Sequence, residues 1–415
     1  MRRSADVVIL MKINAESYKL LYPKTIDWDT FEAQCPDVPF SDDIIEYLNA
    51  LSLALMKDRE SRLYPDVVTF GFFCRKGNLQ KLRDEYCFGK DIRLGRGLLF
   101  HIAPSNVPVN FGYSMVAGLL AGNSNIVRAS SKEFVQVTLI VKHMNELADF
   151  NEVAKRIAVV RYDRDSEANA AFSAACNVRV IWGGDKTIET IRQNALPPRS
   201  FDVCFADRYS IALVNPQAVI DATDTKMEKL AQNFYNDTYL FDQNACSAPH
   251  LVFWKKCHTD NTDITDKAKL RFWKAVHEYT EKKYQYQDVM SVDKLTAFYK
   301  QAVNMECVKE ETEDNLVMRT ELKELPKNID EFRCACGYFS EYDIDSLEEI
   351  LPIVTIKYQT MAYFGFDPEG LKQFVLRYRS VGLDRIVPFG ETTAFALKWD
   401  GYNLIDTFSR ILSVL

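Results

Sequence analysis

The strongest constraint on this chain is an alternation of element types between Gly95 and Gly184. "GRGLLFHIAPSNVP" runs from two glycines into an apolar strand, Leu98 to Ala103, which ends in Pro104, Ser105 and Asn106. "GYSMVAGLLAG" is small, apolar and helical in period. "NSNIVRAS" gives a second strand, Asn125 to Ala129, ending in Ser130 and Ser131. "RIAVVRY" and "VRVIWGG" supply two more strands, with the helical "SEANAAFSAACN" between them. Strands joined by helices build a parallel sheet covered on both faces, so the pattern predicts a doubly wound α/β domain. Such sheets bind ligands at the carboxyl ends of their strands. The residues expected there are Pro104 to Asn106, Arg128 to Ser131, and Gly183 with Gly184.

The chain has 415 residues, 47% of them hydrophobic, more than one domain usually holds. "IIEYLNALSLALM" and most of "YPDVVTFGFFCRKGNLQKLRDEY" read as helices ahead of the first sheet. "CFADRYSIALVN", Cys204 to Asn215, reads as one strand and "DTKMEKLAQNFYND" as a helix. Residues 260–330 are charged and largely helical, with "DNTDITDKAK" as a surface loop, and "LPIVTIKYQTMAYFGF" returns to strand. The net charge of −7 leaves no basic excess for neutralising phosphates, which argues against a nucleic-acid binder. No apolar run approaches the roughly 20 residues that cross a bilayer. "VVILMKI" (Val7 to Ile13) reads as one strand, too short for a signal peptide after Met1-Arg2-Arg3. The expectation is a cytoplasmic protein with reduced thiols. Cys334-Ala335-Cys336 and Cys257-His258 lack zinc-ligand spacing, so no metal site is expected.

The motifs of common nucleotide and hydrolase chemistry are absent. There is no G-x-G-x-x-G, no G-x-x-x-x-G-K-[ST] and no G-x-S-x-G. One cysteine stands out, in "FDQNACSAPHLVFW". Cys246 is flanked by Asn244, Ala245, Ser247 and Ala248, small or amide residues that leave room for a substrate and a tight turn. A thiolate there can attack a carbonyl or thioester carbon. It needs positive potential or a base, and His250 is a nearby candidate.

Four blocks together resemble a family: "APSNVPVNFGYSMVAGLLAGNSNIVRASSKE", "VIWGGDKTI", "DQNACSAPHLVFW" and "RIVPFG…WDGYNL". In that order they are similar to the LuxC-type acyl-CoA reductases, a divergent branch of the aldehyde dehydrogenase superfamily. The resemblance implies an aldehyde dehydrogenase-like fold. Residues 1–208 would hold N-terminal helices and an NADPH-binding domain, 209–385 a second α/β domain with the cysteine nucleophile, and 386–415 a segment packing back on the core. It implies that Asn106, with the backbone N–H of Cys246, forms an oxyanion hole. Ala103, Pro104, Ser105, Arg128, Ser130, Ser131, Gly183, Gly184 and Thr187 would bind the cofactor. The family's K-P-S-E matches Arg128-Ala129-Ser130-Ser131. Ser131 replaces an acid that would repel a 2′-phosphate, which favours NADPH over NADH. The superfamily's E-L-G-G-K aligns with Cys204-Phe205-Ala206-Asp207-Arg208. No carboxylate falls at the hydrolytic glutamate unless the alignment slips to Asp207.

The implied activity is reduction of an acyl-CoA or acyl-protein thioester to an aldehyde through an acyl-enzyme on Cys246. Two alternatives stay open: a CoA-acylating aldehyde dehydrogenase working oxidatively, and a cysteine acyltransferase without redox activity. An acyl-protein synthetase or acyl transferase partner and a homo-oligomer are further implications of the resemblance.

Overall fold

The computed structural model describes residues 13–86, 91–256, 263–312 and 314–414. Nearly all of the strand expected at Val7 to Ile13, and the Cys257-His258 pair, lie outside the described residues. The chain divides into two compact units. One runs to Ala206 and includes Leu397–Leu415; the other is Asp207–Ala396. Residues 386–396, grouped by the sequence reading with the C-terminal segment, belong to the second unit.

In the first unit the strands are β1 (Lys19–Tyr22), β2 (Ile92–Gly95), β3 (Leu98–Ile102), β4 (Ser124–Arg128), β5 (Ile157–Arg161), β6 (Val178–Trp182) and β7 (Phe201–Phe205). Six of them form one sheet in the order β1-β5-β4-β3-β6-β7. β3 to β7 are parallel, and β1 is an antiparallel edge. Every residue of β3, β4 and β6 is buried, which is why these strands read as continuous runs rather than alternating ones. Helix Asn110–Leu120 carries the chain from β3 to β4, and helix Ala168–Ala175 carries it from β5 to β6 on the other side of β3. β3 is therefore the switch point of the sheet. Strand Ser409–Leu412 pairs antiparallel with β2.

Burying β3 also buries His101, which is satisfied by a polar chain. Trp182 Nε1 donates to Ser114 Oγ (3.0 Å), and Ser114 Oγ lies 2.7 Å from His101 Nδ1. His101 Nε2 lies 2.9 Å from Asn125 Oδ1, whose Nδ2 donates to the Asn123 carbonyl. An amide oxygen only accepts, so the His101 proton sits on Nε2 and Nδ1 accepts from Ser114. Burial pulls the His101 pKa down to about 4, and the ring is neutral. A β-carbon on Gly118 would collide with Asn125 Oδ1, so glycine lets helix Asn110–Leu120 close over this pair.

The second unit holds β8 (Tyr209–Val214), β9 (Pro249–Lys255), β10 (Cys307–Lys309), β11 (Met318–Leu322), β12 (Tyr338–Ile344), β13 (Tyr358–Phe364) and β14 (Arg385–Pro388). Their order is β10-β11-β12-β9-β8-β13-β14, parallel except for β10. Both faces are covered. Ala212 and Val214 of β8 meet Phe234, Phe272 and Trp273 on one side. Ile211 and Leu213 meet Ile350, Met361 and Leu371 on the other.

Two sequence expectations are corrected here. Cys204 to Asn215 is not one strand: β7 ends at Phe205 and β8 begins at Tyr209, in a different sheet. The apolar runs on either side hide the break, but Ala206 and Asp207 are poor strand residues, and Asp207 is paired with Arg333 at 2.6 Å. The loop expected over residues 260–269 is helix Asp263–Lys283 from Asp263 onward. Its buried stripe of Ala268, Phe272, Trp273 and Val276 is masked by the surrounding charges. Among the described residues no helix is long and apolar enough to cross a membrane.

Candidate active site

The carboxyl edge of the first sheet gathers three of the predicted segments, because β4, β3 and β6 are neighbours. After β3, Ala103 is buried and its N–H donates to the Arg128 carbonyl at 3.0 Å, while Ser105 and Asn106 are exposed. After β4, Arg128 is buried, not a surface charge. Its Nη2 donates to Ser131 Oγ (3.2 Å) and to the Tyr162 carbonyl (3.1 Å), and its guanidinium lies 4.9 Å from the Tyr162 ring centroid. The Arg128 side chain is thus turned inward and positions Ser131, which is exposed beside Lys132. Ser130 is buried, and its hydroxyl accepts from the Lys132 N–H. Glu133, two residues past Ser131, is held by Arg161 at 3.0 Å.

After β6, Gly183 donates its N–H to the Phe205 carbonyl, and Gly184 is the N-cap of helix Asp185–Arg192. Glycine has no side chain to satisfy the first amides of that helix. A β-carbon at Gly184 would meet nothing within 4 Å, so the space before those amides is open. At Gly183 the same atom would press on the Thr187 side chain at 3.1 Å. A glycine N-cap with open space before it, at a helix N-terminus beside a switch point, leaves room for an anionic ligand such as a dinucleotide phosphate.

Cys246 lies in the second unit, on the loop between helix Asp224–Thr238 and β9. Asp242 (φ 52°) and Gln243 (φ 60°) are both left-handed and turn the loop sharply. Two consecutive non-glycine residues in that conformation need compensation, and Gln243 supplies it. Its buried amide Nε2 donates to the carbonyls of Pro249 (2.9 Å) and Tyr338 (3.0 Å). Its Oε1 accepts from the N–H groups of Gly337 (2.9 Å) and Tyr338 (3.2 Å). A second left-handed pair, Cys336 and Gly337, sits against the first, with Cys336 N–H donating to the Asp242 carbonyl at 3.0 Å. On the other side of the loop, Ser210 Oγ donates to the Cys246 carbonyl at 2.8 Å and accepts from Thr360 N–H. The sulfur itself receives the Gln359 amide, Nε2 to Sγ 3.6 Å. Cys246 is half-buried. Burial pushes up the thiols of Cys74, Cys176, Cys204, Cys307, Cys334 and Cys336, Cys176 to about 12.

A family model described as acyl-CoA reductase (LuxC) matches residues 80–411, four-fifths of the chain. The chain belongs to the LuxC acyl-CoA reductase family. It is 22% identical over 312 residues to the long-chain acyl-protein thioester reductase of Photorhabdus luminescens, covering 72% of this chain and 59% of that protein. It is 19% identical over 303 residues to the Vibrio harveyi protein of the same name, with coverages of 72% and 60%. The aligned part thus spans about three-fifths of the length of these relatives. The fold is that of lactaldehyde dehydrogenase from Escherichia coli, with a TM-score of 0.64, 12% identity, and coverage of 93% of this chain and 88% of that one.

Other candidate groups in this LuxC-family chain are placed less favourably for chemistry. His250 stacks on Tyr209 at 5.7 Å, and burial pulls its pKa down to about 3, too low for a base that accepts a proton near neutrality. Asp207 is held by Arg333 (2.6 Å) and Lys357 (3.6 Å). No cluster of three metal-ligating side chains occurs among the described residues. The "RIVPFG" block has a local reason: Gly390, at φ 97°, and Thr392 donate their N–H groups to the buried Asp237 (2.7 and 3.0 Å). Three residues that organise Cys246 were not singled out by sequence reasoning. Gln243 stands three places before the cysteine without a motif to mark it. Ser210 and Gln359 are 36 and 113 residues away in the chain.

Proposed function

We propose that this chain is an oxidoreductase that reduces an acyl thioester, carried on CoA or on a protein, to an aldehyde with NADPH, through an acyl-enzyme on Cys246. The observation that carries the reading is the Cys246 loop. A strained turn, saturated by Gln243, presents a half-buried sulfur to a side-chain amide, an arrangement suited to a nucleophile and costly for a packing thiol. The names of the curated relatives point to the same substrate class.

Bound NADPH supplies the hydride equivalent that takes the acyl carbon to the aldehyde level. Gly183, Gly184 and Thr187 would hold its phosphates, with Ala103, Pro104 and Ser105 lining the end of β3. Ser131 and Lys132, the first backed by Arg128, would receive a 2′-phosphate, with the nearby Glu133 carboxylate paired to Arg161. The Cys246 thiolate attacks the thioester carbon, the Sγ–C bond forms, and the carrier thiolate leaves. The Asn106 amide donates to the oxygen as negative charge develops there. Cys204 stands at the position of the superfamily's hydrolytic glutamate, and the paired Asp207 is a poor substitute. The acyl-enzyme would therefore survive until it is reduced. An acyl-protein synthetase or acyl transferase is the kind of partner that would deliver the acyl group, and assembly as a homo-oligomer belongs to the same reading.

The test follows NADPH absorbance with a panel of acyl-CoAs, comparing wild type with Cys246→Ala. Cofactor oxidation with aldehyde release by wild type alone is the expected result. Oxidation by both proteins would remove Cys246 as the nucleophile. Acylation of Cys246 without oxidation would favour the acyltransferase reading.

A further inference from the structure

We propose that Gln359 is a further catalytic residue whose side-chain amide donates a hydrogen bond to the Cys246 sulfur, stabilising the thiolate before it attacks and again as it leaves. The inference rests on Cys246 being the nucleophile.

The backbone is built to aim this side chain. β13 pairs with β8 as Tyr358 with Tyr209 and then Met361 with Ile211. Gln359 and Thr360 therefore stand opposite a single residue, Ser210, in a β-bulge. On the other edge of β8 the register also slips, from Ser210 opposite Pro249 to Ile211 opposite Leu251. Two irregularities thus meet at Ser210, at the end of the sheet beside the Cys246 loop. Ser210 Oγ ties them together, accepting from Thr360 N–H (3.2 Å) and donating to the Cys246 carbonyl (2.8 Å). A bulge re-aims the side chains it carries, and here it sends the Gln359 amide to the sulfur.

Gln359 is wholly buried. A buried amide costs stability unless its groups are bonded, and an apolar residue would fill the same volume without that cost. Thr360 Oγ1 donates to Gln359 Oε1 at 3.3 Å, which leaves the NH2 end facing Cys246 Sγ at 3.6 Å. The donor acts where charge resides on sulfur. In the first step the thiolate attacks, Sγ–C forms, and the C–S bond to the carrier breaks with its electron pair on the carrier. Bound NADPH would supply the hydride that brings the acyl carbon to the aldehyde level, and the hemithioacetal oxygen then re-forms C=O. The C–Sγ bond then breaks with its pair on Cys246, and the aldehyde leaves. An N–H held at Sγ favours both ends of this cycle.

The experiment reads the sulfur directly, without substrate or cofactor. Alkylation of Cys246 by iodoacetamide is followed by peptide mass spectrometry in wild type, Gln359→Met and Gln359→Glu. Loss of a hydrogen bond to a charged acceptor should slow alkylation of the Met variant about tenfold at pH 7. The difference should close as pH is raised and both thiols ionise. The Glu variant places a carboxylate against the sulfur and should be slower again at pH 7; it decides the matter if the Met variant does not fold. Alkylation at the wild-type rate in a folded variant would overturn the role of Gln359. Turnover by Cys246→Ala would instead overturn the nucleophile reading and the catalytic role of Gln359 with it. A wild-type alkylation rate beside an inactive Cys246→Ala would overturn the Gln359 proposal alone.

Discussion

The two units arrange their candidate groups by different means. In the first unit the groups follow directly from strand ends. Asn106, Ser131 and Gly184 each stand within a few residues of the strand that delivers them, and the parallel order β4-β3-β6 sets those ends side by side. In the second unit Cys246 is fixed by side chains remote in sequence: Ser210 on β8, Gln359 on β13, and the turn at Cys336 and Gly337 before β12. Regular topology is enough to set side by side the strand ends proposed to meet a phosphate. Cys246, the proposed nucleophile, is held instead by strained backbone, bulges and a saturated glutamine. Substitutions in the second unit should therefore damage stability and chemistry together, whereas those at the strand ends of the first should change chemistry or cofactor preference and leave the fold intact.

The largest separation is expected at Asn106. Asn106→Ala removes a proposed oxyanion donor from an exposed loop, so kcat for thioester reduction should fall about 10²- to 10³-fold with the melting temperature unchanged. A parallel loss of stability would erase the contrast between the units. Gln243→Met should cost about 3 kcal/mol in chemical denaturation, because four buried backbone groups lose their partners. A loss under about 1 kcal/mol would mean that the turn holds itself.

His101 tests whether the first unit also hides a non-local device. Its folded pKa of about 4 lies below the unfolded value near 6.5, so the unfolded chain binds the extra proton between those values. Its contribution to stability is complete above about pH 6.5 and is lost as pH falls toward about 4. Between pH 7 and pH 5 this amounts to about 2 kcal/mol. His101→Gln should reduce the pH 7 to pH 5 change in unfolding free energy by that amount, and an unchanged slope would show that the ring is not sequestered. The smallest effect is at Ser131. Ser131→Glu should shift the NADPH/NADH ratio of kcat/KM about tenfold toward NADH, since a carboxylate there repels a 2′-phosphate. An unchanged ratio would place cofactor discrimination elsewhere.

This contrast also explains what the sequence disclosed. β3, β4, β5 and β6 were legible within a residue or two because each is a buried run bounded by turn residues. The break between β7 and β8 was not, because Ala206-Asp207-Arg208 interrupts two apolar runs too briefly to change the pattern. Only the first turns of the helix from Asp263 look like a loop in sequence, because charged and polar residues there outnumber the stripe that packs. Cys246 was visible through its small neighbours and the family resemblance. His250 looked like a base because distance along the chain says nothing about burial. Gln359 was invisible because a bulge, which no local pattern encodes, turns it toward the cysteine.

The central claim is that Cys246 carries the acyl group. Mass spectrometry of tryptic peptides after brief incubation with a long-chain acyl-CoA, without NADPH, tests it most directly. The account predicts an acyl adduct on the Cys246 peptide of wild type, released when NADPH is added, and no adduct in Cys246→Ala. An adduct on another cysteine, or thioester reduction by Cys246→Ala, would contradict it.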